Sequence, residues 1–167
     1  NSLKYNPAPS PVGSVFSVSE YRITGETGLN ILDDSGCILQ TFDVPDSLQI
    51  VQTAWMTEKD IYASAISENG YGIYHMDIQE GIWTNILHPQ PVMIKDLRTY
   101  GEVLTFVSDR TGVNELYHLN PTTGDLRQKT STRHGGESFC YSPNGEYLYY
   151  TSPTMKGKLL FRTRTED

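Results

Sequence analysis

Two short phrases near opposite ends of the chain carry the same turn. Ser10-Pro11-Val12-Gly13 precedes the alternating run Ser14–Val18, and Ser142-Pro143-Asn144-Gly145 precedes Glu146–Tyr150. They lie 132 residues apart, which is three steps of 44. A period of this length means one supersecondary unit used repeatedly, and the usual unit is a four-stranded propeller blade.

Glycines keep the same beat. Gly28, Gly70, Gly112 and Gly157 are spaced 42, 42 and 45 residues apart. Each leads into a strand-like run: Leu29–Leu32, Ile73–Met76, Leu116–Leu119 and Leu159–Arg162. A second turn follows in three units, at Asp34-Ser35-Gly36, Gln79-Glu80-Gly81 and Thr122-Thr123-Gly124. The third unit reads as four strands, 92–97, 102–107, 114–119 and 125–130, rich in β-branched and aromatic residues and parted by Gly, Pro and Asn turns. No stretch holds apolar residues at helical spacing for three turns, so almost no helix is expected. The fold class is all-β, a β-propeller of four-stranded antiparallel blades with about three and a half to four blades present. The expected units run 3–43, 50–87, 92–130 and 136–165 within one propeller domain, or one propeller fragment, spanning 1–167.

Composition narrows the function classes. A hydrophobic fraction of 37% with 11 Tyr suits an all-β chain with wet faces and not a disordered one. No run of 18 apolar residues exists, so no membrane insertion is expected. The sequence carries no secretory signal and no initiator Met, which reads as a mature or excised segment. A net charge of −7 argues against nucleic-acid binding, which needs cations to displace counterions from phosphate. Cys37 and Cys140 fall in different units and are expected to be buried free thiols. Neither CxxC nor a Cys/His metal spacing is present, so no metal and no cofactor is expected.

The run Phe106-Val107-Ser108-Asp109-Arg110-Thr111-Gly112, then Leu116-Tyr117-His118-Leu119, Thr123-Gly124, and Ser142-Pro143-Asn144-Gly145 resembles the repeat of TolB-type β-propellers, the WD40-like or PD40 blade. Units three and four carry the motif well. Unit two keeps Ser67 and Gly70 but lacks the Arg, and unit one keeps little beyond Ser-Pro-x-Gly. The resemblance implies a non-catalytic scaffold that binds a protein partner or polymer at one mouth, in the bacterial envelope, periplasmic or otherwise outside the cytoplasm. It also implies an alternative, the non-catalytic propeller domain of a larger serine peptidase. A second alternative is a propeller that processes a sugar or small ligand. Fold alone does not choose among them.

Closure is the open structural question. Propellers of this type usually have about six or seven blades, while small four-bladed rings also exist. The last unit lacks an outer strand, and the first unit's inner strand, Leu3–Pro9, contains Pro7 and Pro9 and reads poorly as a central strand. The chain is thus read as part of a longer propeller, as a compact ring, or as a half that associates with another copy through open blade edges.

No catalytic constellation is present: Gly-x-Ser-x-Gly is absent, and no Gly-rich loop leads into a helix. His75 and His118 take equivalent outward strand positions, while His88 and His134 fall in inter-blade connections. Such connections lie on one mouth of a propeller and vary freely on a rigid scaffold. The candidate ligand- or partner-binding set is therefore Asp109, Arg110, Arg133, His134 and Glu137. Asp109 is also suited to capping its own turn, and Arg110 to reaching a nearby carboxylate or carbonyl.

Overall fold

A computed structural model describes residues 2–45 and 47–165. Fifteen strands and no helix occur among them: β1 (Ser2–Pro9), β2 (Val15–Arg22), β3 (Thr27–Asp33), β4 (Ile38–Asp43), β5 (Gln49–Trp55), β6 (Asp60–Ser67), β7 (Gly70–Asp77), β8 (Ile82–Gln90), β9 (Ile94–Tyr100), β10 (Val103–Ser108), β11 (Glu115–Leu119), β12 (Leu126–Gln128), β13 (Glu137–Tyr141), β14 (Tyr147–Thr154) and β15 (Gly157–Arg164). They form four antiparallel meanders: β1–β4, β5–β8, β9–β12 and the three-stranded β13–β15. These are four successive blades of a propeller, the last one strand short among the described residues. No helix is long and apolar enough to cross a membrane among them.

The strand period of two explains the core. Successive side chains point to opposite faces of a blade, so blades 2 and 3 each pack on two neighbours. Leu29 and Ile31 of blade 1 meet Trp55, Ile61 and Met76 of blade 2. Ala54 and Ile73, from the opposite face of blade 2, meet Leu97, Leu104 and Phe106 of blade 3. Val107 and Leu116 of blade 3 then meet Phe139 and Leu148 of blade 4.

Turn chemistry sets the beat. Asp33 accepts from the amides of Ser35 and Cys37, Asp77 from Gln79 and Glu80, and Asn120 from Thr122 and Thr123. These side chains cap the bend into each fourth strand in the manner of an Asx turn. Gly70 shows why its beat needs glycine. Its φ is 104°, and a Cβ there would lie 2.0 Å from the Gln90 carbonyl oxygen.

The inner strands share a device that the repeat pattern does not announce. Register slips by one residue between Tyr5 and Ala8 in β1, Ile50 and Gln52 in β5, Thr105 and Val107 opposite β9, and Glu137 and Cys140 in β13. Asn6, Asp96 and Ser138 take the left-handed φ values 52°, 54° and 54° at three of these bulges. The bulge resolves the difficulty raised by prolines in an inner strand. Pro7 falls at the slip, where no ladder hydrogen bond is required of it.

Three expectations need correction. Cys37 and Cys140 are free but exposed: Cys37 lies in the β3–β4 turn, and Cys140 points to the side of β13 away from Phe139 and the core. His75 and His118 are half-buried, not outward. His75 Nε2 is 2.7 Å from Asp60 Oδ1, and His118 is hydrogen-bonded to Tyr141 of the next blade. His88 lies inside β8, not in a connection, because that strand extends to Gln90.

Candidate functional site

Inner strands β1, β5 and β9 stand side by side and are laced by polar contacts. Tyr5 donates to the Ile50 carbonyl at 2.9 Å, and the Asn6 amide donates to the Val51 carbonyl. Trp55 Nε1 donates to both the Ala8 carbonyl and Ser17 Oγ at 3.0 Å. One blade further on, Gln52 Oε1 accepts from the Leu97 amide at 3.0 Å, and Thr99 donates to the Trp55 carbonyl at 3.0 Å. Two clefts open on this wall. One, of about 400 Å³, lies over Asn6, Gln52 and Trp55, and the other, of about 430 Å³, over Tyr100, Phe139 and Tyr141. Both are bordered by Arg98, an exposed cation with no carboxylate within 4 Å among the described residues. Sequence reasoning did not single it out, because an inner-strand Arg gives no motif until the bulges aim it.

Blades 3 and 4 meet at an aromatic cluster. Tyr100 and Tyr141 stack with ring centres 4.1 Å apart, and His118 lies beside both. Burial, with a smaller push from Lys129, lowers the His118 imidazole from 6.5 to about 4. Burial, then the neighbouring Tyr100, pushes the Tyr141 phenol up to about 12. At neutral pH a neutral imidazole and a protonated phenol therefore share this hydrogen bond.

That geometry fixes a pH dependence. The folded His118 binds its proton more weakly than the unfolded one. Its stabilising effect is complete above pH 6.5, declines as pH falls toward 4, and changes no further below. The loss is at most about 1.4 kcal/mol per pH unit, and less for a half-buried ring. The urea midpoint of the wild type should fall between pH 6.5 and 4, and that of His118→Phe should fall less over the same interval. Glu20 overlaps this window only at its acid edge. Hydrogen bonds from Ser2 and Lys4 hold its carboxyl at about 2, so its own contribution is lost between 4.5 and 2.

Antiparallel alternation puts the β10–β11 and β12–β13 connections at one end of the blades, where the candidate set lies. The two connections touch: the Gly136 amide donates to the Asn114 carbonyl at 2.7 Å. Asp109 accepts from the Met93 amide at 2.8 Å, so it pins the preceding inter-blade connection and not its own turn. Arg110 donates to Gln90 Oε1 at 2.5 Å and lies 5.6 Å from the Tyr117 ring centre. Glu137 pairs with Lys158 at 2.5 Å, which holds its carboxyl below the usual range. Arg133 and His134 are exposed in the β12–β13 connection. No two of the five are hydrogen-bonded to each other among the described residues.

Glu115 went unremarked in the sequence, yet it anchors this end. It is 1% exposed, and its carboxyl oxygens accept from Thr130 Oγ1 at 2.5 Å, the Thr132 amide at 2.6 Å and Thr132 Oγ1 at 2.8 Å. Nothing in a strand read as Asn114–Leu119 marks it, because its partners lie 15 and 17 residues further on.

Four successive antiparallel meanders with cores between the blades make a β-propeller fold, the fold that TolB proteins share. Among solved structures, TolB from Acinetobacter baumannii superposes on 99% of the chain with a TM-score of 0.75 at 15% identity. A putative TolB from Agrobacterium tumefaciens covers 98% with a TM-score of 0.73 at 17% identity. A puromycin-hydrolyzing peptidase of Mycobacterium tuberculosis covers 98% with a TM-score of 0.72 at 15% identity. The chain spans 42%, 62% and 27% of these three proteins' own lengths. No protein-family description and no curated protein matches the sequence.

Proposed function

We propose that this chain is a non-catalytic interaction module that binds a protein partner or polymer at one mouth of its propeller, in the cell envelope outside the cytoplasm. One observation carries the reading. Asp109, Arg110 and Glu115 pin the connections at that mouth, while Arg133 and His134 are left exposed on the fixed base. A rigid scaffold presenting variable loops is the usual way such folds bind. Glu137, at the start of β13, completes the proposed surface.

The test is a photo-crosslinking side chain at His134, in the cells that make the protein. A discrete protein adduct is expected from position 134 and none from Leu39, exposed on outer strand β4. Equal adducts from both positions, or none from 134, would overturn the reading. The likeness to a peptidase favours a second reading, a non-catalytic propeller domain in a larger hydrolase. An α/β-hydrolase segment in the same gene would decide for it.

A further inference from the structure

Arg98 stands exposed on the wall of inner strands, where both clefts border on it. The chain carries 20 Asp and Glu against 13 Lys and Arg, yet no carboxylate lies within 4 Å of Arg98 among the described residues. The strand on either side of it is braced. Gln52 Oε1 holds the Leu97 amide and the Trp55 carbonyl holds the Thr99 hydroxyl, each at 3.0 Å, which ties this stretch of β9 to blade 2. Arg98 itself stands opposite Thr105 in the ladder to β10. A cation mounted on a fixed strand meets a ligand without reordering the backbone.

The cleft between blades 3 and 4 has the parts of a small-ligand site. Its volume of about 430 Å³ is in the range of such sites. Arg98 and Tyr100 are two residues apart in β9 and take the same face. Tyr100 is 38% exposed and is backed by Tyr141, whose hydroxyl is hydrogen-bonded to His118. A backed aromatic face beside a guanidinium offers a flat ring a surface to lie on and a carboxylate a planar fork to meet. Asp96 lines the same cleft. One guanidinium balances one negative charge, and the Asp96 carboxylate repels a second, so the site favours a monoanion over a phosphate dianion.

We infer that the cleft between blades 3 and 4 binds an aromatic carboxylate, with Arg98 taking the carboxylate and Tyr100 the ring. A free aromatic acid and the C-terminal aromatic residue of a polypeptide present the same ring and the same charge, and the site recognises that shared chemistry. None of Asp109, Arg110, Arg133, His134 and Glu137 lines either cleft, so the inference stands independently of the function proposed for them.

The probe is N-acetyl-phenylalanine, titrated into the 167-residue chain by calorimetry, with iodoacetamide alkylation of the two exposed cysteines followed by mass spectrometry on the same samples. Cys140 lines the cleft, whereas Cys37 lies in the β3–β4 turn and is the internal control. Saturable binding is expected, with slower alkylation at Cys140 and unchanged alkylation at Cys37. N-acetyl-phenylalanine amide keeps the ring and loses the charge, and acetate keeps the charge and loses the ring. Each should bind roughly tenfold or more weakly. Arg98→Ala should weaken the acid as much while keeping its β spectrum, and the comparison with the amide needs no variant. An acetylated tetrapeptide ending in phenylalanine separates the two sources. Tighter binding than the probe assigns the cleft to a polypeptide terminus, and equal or weaker binding assigns it to a free acid. The proposal is overturned by absence of saturable binding, by equal slowing of both cysteines, or by equal binding of the amide. Undiminished binding to folded Arg98→Ala, or inorganic phosphate binding as tightly as the acid, would overturn it as well.

Discussion

Trp55→Ala is expected to bring the protein close to unfolding at room temperature. Trp55 is 5% exposed and packs among Leu29, Ile31, Ile61 and Met76 at the junction of blades 1 and 2. Truncating a buried aromatic of this size costs about 3–5 kcal/mol, against a total stability of about 5–15 kcal/mol for an ordinary domain. The indole also holds the two inner strands together. Its N–H serves the Ala8 carbonyl and Ser17 Oγ, and Ser17 in turn lies 2.9 Å from Thr53 Oγ1. Trp55→Phe separates the two contributions. It keeps most of the apolar volume but removes a donor from the part-buried Ala8 carbonyl and the buried Ser17 hydroxyl, at a cost of about 1–3 kcal/mol. Urea unfolding of both variants gives the comparison. A loss below about 1 kcal/mol in Trp55→Ala would mean that blades 1 and 2 are not held in this way.

Glu115→Ala is expected to cost about 2–4 kcal/mol and to loosen one mouth of the propeller. It removes the acceptor for the Thr132 amide and for the Thr130 and Thr132 hydroxyls, and buried donors left unpaired are costly. Thr130 Oγ1 also accepts from the Leu116 amide at 2.9 Å, so the disturbance reaches β11. Glu115→Gln keeps one acceptor and should lose about half as much. Hydrogen exchange distinguishes this from a general loss of stability. The Thr132 amide should exchange faster in Glu115→Ala even under conditions where the amides of β6 are unaffected. If the two regions accelerate together, Glu115 does not anchor the connection specifically.

The blades were legible because turns recur in sequence. Gly28, Gly70 and Gly157 fall at the start of the third strand of a blade and Gly112 in the turn before it, and Gly36, Gly81 and Gly124 each precede a fourth. What failed to show was whatever depends on three-dimensional register. The inner-strand bulges have no shared residue type: Asn6, Val51, Asp96 and Ser138 occupy them. Pro7 therefore looked like a misfit when it sits where the ladder slips. The outward reading of His118 failed because alternation fixes which face a residue takes, but not whether the next blade covers that face. The expected burial of Cys140 failed because its face of β13 is exposed, and that of Cys37 because it falls in the β3–β4 turn and not in a strand. Asp109 and Arg110 were visible as a motif, yet their partners, Met93 and Gln90, lie in the preceding connection and could be assigned only from the fold.

Light scattering on a sizing column, with far-ultraviolet circular dichroism of the same peak, is the most direct test that four blades, packed in series through their inter-blade cores, hold one another in a folded state. The expected result is a monomer of 18.8 kDa with a β spectrum and no helical signature. An unfolded or aggregated chain, or a helical spectrum, would contradict it.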